Sequence, residues 1–404
     1  MAVAVTRPTG PVRARRAVAC LVAAGVLALA ACTADGGGPE ASSPPAATSA
    51  TASASGPSGT SGPSGPATVQ VTDVREIARD LDVPWGIAFL PGGDALVTLR
   101  DAASLVVVSP DGGTTVVTGP GAAQLTRQVA PSGEGGLLGV AVLDEGTGGT
   151  GGAGGAVDVA LYATTADDNR VLRGTLDGTT LGELRPVLTG IHKAGNHDGG
   201  RLAVGPDGDL YVTTGDAGNP PDAQDPRSLN GKILRITPDG DPAPGNPDAG
   251  SPVWSLGHRN VQGVGWSSDG RMFASEFGQN TWDELNVVVP GGNYGWPTVE
   301  GTGGTSEGFV DPVATWPTSD ASPSGLAVTD EGVYLAALRG QRLWRVPLTP
   351  DGVGQPQALL TGEHGRLRAV AVAPDGSLWV LTNNTDGRGD PSPGDDRILR
   401  ISLG

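Results

Sequence analysis

Five polar residues in the middle of the chain have side chains suited to catalysis or to holding a planar ligand. They are His197, Asp216, Arg259, Asn260 and Gln262. A histidine can take up a proton near neutral pH, and a carboxylate can orient its ring or bind a substrate hydroxyl. A guanidinium beside an amide suits a ligand that carries carboxylates or carbonyls. These residue types, each on a predicted loop, predict an enzyme.

His197 is the strongest candidate base, because the chain has only four histidines and Gly199 and Gly200 follow this one. Glycines allow the backbone to approach a ligand closely. His192, next to Lys193, is predicted to lie on a surface loop. Spacing alone leaves two alternatives open, since His197 could be a structural loop residue and Asp216 could cap a turn.

Further charged residues indicate an anionic ligand and a cation. Arg366 and Arg368 lie two apart on a predicted strand and project to the same face. Two such cations repel unless an anion lies between them, which favours an acidic ligand over an internal salt bridge. The segment Ser275–Glu284 is predicted to be a loop rich in oxygen ligands for a hard cation, although it lacks EF-hand spacing. No phosphate loop, Gly-x-Ser-x-Gly elbow or Cys/His metal spacing occurs.

A repeated hairpin pattern must position these residues. Six segments combine a short apolar run, a turn containing glycine and a second apolar run, and they begin at Trp85, Leu138, Arg201, Gly263, Gly325 and Val370. Their spacing of about 40 to 65 residues is typical of propeller blades. The sequence therefore predicts an all-β fold, a six-bladed β-propeller, with its chemistry on the loops around the central channel.

The first 68 residues have a different composition from the rest. Four arginines, an apolar run over residues 17–31 and small residues before Cys32 predict a lipoprotein signal over residues 1–32, with lipidation at Cys32. An uncleaved anchor or a plain secretory signal remains an alternative, and Arg15-Arg16 could also mark twin-arginine export. Residues 33–68 are rich in Gly, Ser, Thr, Pro and Ala, which predicts a disordered tether. Residues 69–404 are predicted to form the propeller. We therefore expect an extracytoplasmic protein that contacts the membrane through its lipid alone.

Charge and cysteine content limit the possible binding partners, disulfides and haem groups. The net charge of −17 argues against nucleic acid. The only cysteines, Cys20 and Cys32, lie in the predicted signal, so the propeller would contain no disulfide. A Cys-x-x-Cys-His haem motif does not occur, so any haem would belong to another chain.

Seven phrases together resemble the glucose/sorbosone dehydrogenase family of soluble quinoproteins, which use pyrroloquinoline quinone (PQQ). The phrases are Gly133–Gly139, Asn196–Leu202, Gly215-Asp216, Leu229–Arg235, Gly257–Gln262, Gly291–Pro297 and Arg366–Arg368. The similarity runs from about Val83 to the C-terminus. It implies a six-bladed propeller that uses PQQ and Ca²⁺ to oxidise an aldose sugar at C1 to the lactone, with electrons passed to an external acceptor.

The resemblance also implies roles for individual residues. His197 would be the general base, Asp216 would contact the sugar or the base, and Arg259 would stabilise charge on the reduced quinone. Backbone carbonyls of Gly278 and Gln279 would hold the calcium. The PQQ pocket would contain Glu134, Arg259, Asn260, Gln262, Thr318, Arg339, Arg366 and Arg368.

Three positions depart from the best-known glucose-oxidising members of that family. Glu134 stands where they carry glutamine, Arg339 where they carry lysine and Gln279 where they carry proline. Short inter-blade loops favour a broad aldose specificity. Two other functions stay open: a calcium-dependent lactonase, which would need no arginine-rich pocket, and a non-catalytic propeller that binds sugars or a protein partner.

Overall fold

The computed structural model describes residues 68–143 and 155–404, which belong to one compact unit. The predicted signal, Cys32 and all but the last residue of the predicted tether lie outside these residues. In the described ranges, no helix combines the length and apolar character that crossing a bilayer requires.

Six antiparallel sheets of four or five strands follow one another along the chain, which confirms the predicted six-bladed β-propeller. A first strand, β1, comprises Val71–Ala78. Blade 1 consists of β2 (Pro84–Phe89), β3 (Ala95–Leu99), β4 (Ser104–Val108) and β5 (Thr114–Val116). Helix α1 (Pro120–Gln128) follows. Blade 2 consists of β6 (Leu137–Val142), β7 (Val157–Thr164), β8 (Asn169–Asp177), β9 (Thr180–Leu181) and β10 (Arg185–Ile191).

The remaining blades follow the same order from the channel outwards. Blade 3 consists of β11 (Leu202–Val204), β12 (Leu210–Thr213), β13 (Lys232–Ile236) and β14 (Val253–Leu256), with a 3₁₀ turn at Pro220–Ala223. Blade 4 consists of β15 (Val261–Trp266), β16 (Met272–Glu276), β17 (Trp282–Val288) and β18 (Ala314–Pro317), with a 3₁₀ turn at Thr305–Glu307.

The last two blades complete the ring. Blade 5 contains β19 (Pro323–Thr329), β20 (Gly332–Ala337), β21 (Arg342–Val346), the small hairpin β22 (Leu348–Thr349) and β23 (Gly352–Val353), and β24 (Gln357–Leu359). Blade 6 contains β25 (Leu367–Val372), β26 (Leu378–Thr382) and β27 (Ile398–Leu403). Its outer strand is β1, which pairs with β27 from Val71↔Leu403 to Ala78↔Ile398.

Each predicted hairpin contributes to the two innermost strands of its blade. Gly208, Gly270 and Gly376 each follow an aspartate in the turn, and their φ angles of 81°, 88° and 82° lie in the left-handed region that favours glycine. Strand β13, the third strand of blade 3, is buried throughout, whereas β5 at the edge of blade 1 is exposed. Apolar side chains from neighbouring blades, such as Leu96 and Leu161, pack into shared clusters.

The strand order brings distant loops together. In an antiparallel pair, the start of the innermost strand and the end of the second strand lie at the same end. The loops before β6, β11, β15 and β25 and after β12, β16, β20 and β26 therefore share one end of the propeller. The predicted catalytic, PQQ-binding and calcium-binding residues all lie on these loops, on the loop before β19 or within the first two residues of the adjoining strands.

Candidate active site

His197 and Asp216 form a direct hydrogen bond, with 2.7 Å between Nδ1 and Oδ1. Asp216 is fully buried, and it also accepts hydrogen bonds from Trp296 Nε1 at 2.9 Å and from the Gly218 amide at 2.8 Å. Burial would raise the pKa of Asp216, but these donors outweigh burial and hold the pKa below its ordinary value. An ionised Asp216 requires the proton on His197 Nδ1, which leaves Nε2 able to accept a proton.

The loop that carries His197 is packed tightly against the one that carries Asp216. His197 has a φ of 59°, a left-handed conformation uncommon for a residue with a Cβ. A Cβ on Gly215 would lie 1.9 Å from the His197 carbonyl oxygen, and one on Gly199 would lie 2.5 Å from Thr214 Cα. The glycines are therefore required by this close approach.

Glu134 connects the His197 loop to blade 6. Its Oε2 accepts the His197 amide at 3.0 Å, and its Oε1 accepts a hydrogen bond from Arg388 at 3.0 Å. Burial would raise the pKa of Glu134, but the His197 amide and the Arg388 guanidinium outweigh it and lower the pKa. The carboxylate at this position is thus compensated within the chain. Sequence reasoning did not identify Arg388, because an arginine more than 250 residues away carries no local signal.

Arg259 and Asn260 lie beside the His197–Asp216 pair. The Arg259 carbonyl accepts the Asp216 amide at 2.8 Å, and Asn260 Oδ1 accepts the Gly199 amide at 3.1 Å. The Arg259 guanidinium lies 5.4 Å from the Trp296 ring and donates to the Phe277 carbonyl at 3.2 Å. Burial lowers the pKa of Arg259, whereas nearby carboxylates oppose that shift.

Arg366 and Arg368 share an anion that belongs to the chain itself. The Asp386 carboxylate lies 3.0 Å from Arg366 Nη2 and 3.7 Å from Arg368 Nη2. This internal ion pair is the alternative that the sequence argument disfavoured, and it removes the need for a ligand to separate the two cations. Arg368 also donates to Asn383 Oδ1 at 2.7 Å and to Gln262 Oε1 at 3.0 Å. Burial lowers the pKa of Arg368 to about 9.

The segment Ser275–Glu284 is a loop only in its middle, which corrects the sequence-based expectation. Residues up to Glu276 belong to β16, and residues from Trp282 belong to β17. Glu276, Asp283 and Glu284 are acidic residues buried in strands, and buried acidic side chains are uncommon enough that the composition indicated a loop. Within the remaining loop, no hydrogen bond from a described residue reaches the carbonyl oxygens of Gly278 and Gln279.

The other predicted residues have different surroundings. Thr318 contacts this loop through a 3.5 Å hydrogen bond to the Asn280 carbonyl. Arg339 is exposed on the loop after β20, and no hydrogen bond or ion pair joins it to another predicted site residue within the described chain. His192 is exposed, as predicted, with Asp222 3.6 Å from its ring. His258 is fully buried and bonded to Ser255 and Glu276, each at 2.8 Å.

Several buried polar atoms at this end of the described propeller have no hydrogen-bond partner. Among them are the donors Arg259 Nε, Arg366 Nε and Asn383 Nδ2. Buried donors without partners are uncommon unless a ligand or water meets them. Three such donors at the same end of the propeller as His197 and Asp216 suit a planar ligand rich in carboxylates and carbonyls, and free backbone carbonyls at residues 278 and 279 suit a hard cation.

Comparison with known proteins agrees with this geometry. Residues 81–399 match the model of the family described as Glucose / Sorbosone dehydrogenase. The PQQ-bound aldose sugar dehydrogenase of Streptomyces coelicolor is 50% identical, and the superposition covers 84% of this chain and 100% of that one with a TM-score of 0.77. Aldose sugar dehydrogenase YliI of Escherichia coli is 31% identical over 361 residues, 80% of this chain and 92% of its own. Quinoprotein glucose dehydrogenase B of Acinetobacter calcoaceticus is 31% identical over 262 residues, 57% of this chain and 53% of its own.

Proposed function

This chain belongs to the glucose/sorbosone dehydrogenase family, and on that premise we propose that it is a PQQ-dependent dehydrogenase that oxidises aldose sugars. The reaction removes two electrons and two protons from the C1 carbon and its hydroxyl, and the product is the lactone. PQQ supplies the two-electron acceptor when it is bound. The electrons then pass to an external acceptor.

The observation that carries this proposal is the His197–Asp216 pair. Asp216 holds the Nδ1 proton of His197, so Nε2 can take the proton of the anomeric hydroxyl as the C–H bond breaks. Trp296 and the Gly218 amide keep the carboxylate in one orientation. The His197 Nε2 makes no hydrogen bond within the described chain, so it is available to a substrate hydroxyl.

The arginines and amides around this pair would hold the cofactor. Arg259 is next to the base and would stabilise negative charge as it develops on the quinone oxygen. Asn260, Gln262, Arg366 and Arg368 would bind carboxylates or carbonyls, because their donors converge on the same end of the channel. The pocket would be completed by Glu134, Thr318 and Arg339. The negative charge of Glu134 is balanced by its ion pair with Arg388.

Calcium would be held by the carbonyl oxygens of Gly278 and Gln279, as a Lewis acid beside the quinone. Two of the acidic side chains near these carbonyls accept hydrogen bonds from backbone amides. A calcium-dependent lactonase would need free carboxylates around its metal, so this arrangement favours the dehydrogenase. A non-catalytic propeller would have no need for the His197–Asp216 pair.

We also propose that the protein is lipid-anchored at Cys32 and lies outside the cytoplasm. The support is the sequence of residues 1–32. Growth of the producing cells with a labelled fatty acid would label the wild-type chain and leave Cys32→Ser unlabelled. Label retained on the serine variant would refute the anchor without affecting the proposed reaction.

The decisive experiment is a titration of the chain with PQQ and calcium, followed by dye reduction with a panel of aldoses. We expect stoichiometric activation by PQQ that is lost in His197→Ala and retained in His192→Ala, the matched exposed histidine. Absence of PQQ binding at micromolar cofactor would refute the proposal. Assays of lactone hydrolysis and then of partner binding would follow.

A further inference from the structure

Five consecutive backbone amides between β16 and β17 donate to only two carboxylates. The Gly278 amide donates to Asp283 Oδ1 at 2.9 Å. The next four amides all donate to one oxygen, Oε1 of Glu300, from Gln279 at 2.7 Å, Asn280 at 3.0 Å, Thr281 at 3.0 Å and Trp282 at 3.1 Å. Four amides that converge on one atom leave the loop little freedom.

These hydrogen bonds determine where the loop carbonyls point. In a planar trans peptide, the C=O of one residue and the N–H of the next point in opposite directions. The Gln279 amide points at Glu300, so the Gly278 carbonyl points away from Glu300. By the same rule, the Asn280 amide directs the Gln279 carbonyl away from Glu300. Glu300 therefore orients the two carbonyls to which we assign calcium.

Glu300 is itself held in place. The next residue, Gly301, donates its amide to Glu284 Oε1 at 2.7 Å, and a Cβ on Gly301 would lie 2.5 Å from the Trp282 ring. The acceptor carboxylate is thus fixed in position by its neighbours, and charged acceptors make the stronger hydrogen bonds.

We propose that Glu300 is a positioning residue for calcium, which acts by aligning the Gly278 and Gln279 carbonyls before the cation arrives. This inference rests on the proposed function. Glu300 would not ligate the cation through Oε1, because that oxygen already accepts four hydrogen bonds. Its contribution is preorganisation, which is the usual role of residues that contact metal ligands rather than the metal.

Calcium affinity tests the proposal through Glu300→Ala, Glu300→Gln and a matched control, Asp311→Asn. Asp311 is another carboxylate that accepts two backbone amides, from Gly303 at 3.1 Å and Gly304 at 2.8 Å, and it does not contact residues 278–282. Calorimetric titration of each full chain with calcium alone, and with calcium after PQQ, would give the dissociation constants. Thermal unfolding without calcium would report stability separately.

We expect calcium affinity to fall by about 10- to 100-fold in Glu300→Ala. The loss would be smaller in Glu300→Gln, which keeps an oxygen acceptor without the charge, and absent in Asp311→Asn. Hydrogen exchange without calcium would show faster exchange at residues 279–282 in the alanine variant. If that variant does not fold, the glutamine variant decides.

The outcomes separate this inference from the proposed function. Calcium binding by the wild type with unchanged affinity in both Glu300 variants would overturn the role of Glu300 and leave the proposed function standing. No calcium binding by the wild type would overturn the calcium part of the proposed function, and the role of Glu300 with it. Equal losses in Asp311→Asn would also overturn it, since any change in local stability would then suffice.

Discussion

Adjacent carboxylates in the His197 region have opposite pKa shifts because their partners differ. Asp216 receives donors on both oxygens, so its pKa is lowered despite burial. Asp198 is also buried, but its Oδ2 has no partner in the described structure, and burial raises its pKa to about 6. At the scale of single residues, hydrogen-bond donors rather than exposure decide which carboxylate stays charged.

Asp216→Asn should reduce kcat by about 10³-fold or more, comparable to losing the carboxylate of other His–Asp pairs. The asparagine amide can donate to Nδ1, which favours the tautomer with a proton on Nε2, and that nitrogen can no longer act as a base. Steady-state kinetics with saturating PQQ and calcium would measure the loss. Asp177→Asn, an exposed aspartate, serves as the control, and comparable kcat values in the two variants would contradict the assignment.

Asp198 should make the stability of the fold depend on pH. Between pH 3.8 and about 6, the folded chain retains a proton that the unfolded chain has lost, so the free energy of unfolding falls as pH rises. The wild type should therefore lose on the order of 3 kcal/mol of unfolding free energy between a pH below this window and a pH above it. Asp198→Asn should not show this loss. Urea unfolding at about pH 3.5 and about pH 7 measures the difference. Parallel pH profiles for the two proteins would disprove the shift.

At the scale of elements, a buried lysine ties the loop between β12 and β13 to its strand. Lys232 has no exposed surface, and its Nζ donates to the carbonyls of Asp222 at 2.7 Å, Ala223 at 3.0 Å and Asn230 at 2.8 Å. Burial lowers the pKa of Lys232 to about 8. The same loop contains Asp216, so the lysine supports the active-site end of blade 3.

Lys232→Met should lower the free energy of unfolding by about 2 to 4 kcal/mol. The substitution removes the donor to three carbonyls, which stay buried and desolvated without a hydrogen bond. Lys193→Met, at the only other lysine, should change it by less than about 0.5 kcal/mol. Denaturant unfolding of both variants gives the comparison. Equal stabilities would show that the three carbonyls find other partners.

At the scale of the whole molecule, the ring is closed by pairing the two ends of the domain. Strand β1 supplies the edge of blade 6, and Ile77 packs in a cluster with Trp379 and Ile398. This pairing covers the edge of β27 and joins the first residues of the propeller to the last. The long-range pairing makes the blade 6 loops, with Arg366 and Arg388, depend on the N-terminal strand.

Ile77→Ala should lower the free energy of unfolding by about 2 to 4 kcal/mol, since it removes a buried side chain from this closure. Val116→Ala, at a residue 59% exposed on β5, should cost less than about 0.5 kcal/mol. Thermal unfolding of the two variants tests the difference. A smaller loss of stability at residue 77 than at residue 116 would show that β1 contributes little to closure.

Local patterns in the sequence determined the blades and the identity of most candidate residues. Each inner hairpin has its own apolar alternation and its own glycine turn, so six repeats could be counted without a structure. The family phrases likewise identify His197, Asp216 and Arg259 because their types and neighbours are contiguous. Their meeting at one end of the ring follows from antiparallel strand order.

The tertiary structure alone decided which charges neutralise one another and which strand closes the ring. Arg388 meets Glu134 and β1 meets β27 across large separations along the chain, and Asp386 meets Arg366 across the β25–β26 hairpin. Glu300 meets four amides through the fold of two loops. Such contacts depend on the arrangement of blades in space, and no periodicity or motif encodes them locally. The physical reason is that the energy of a charge pair depends on the distance between the two groups in space. A sequence pattern describes only residues that are close along the chain.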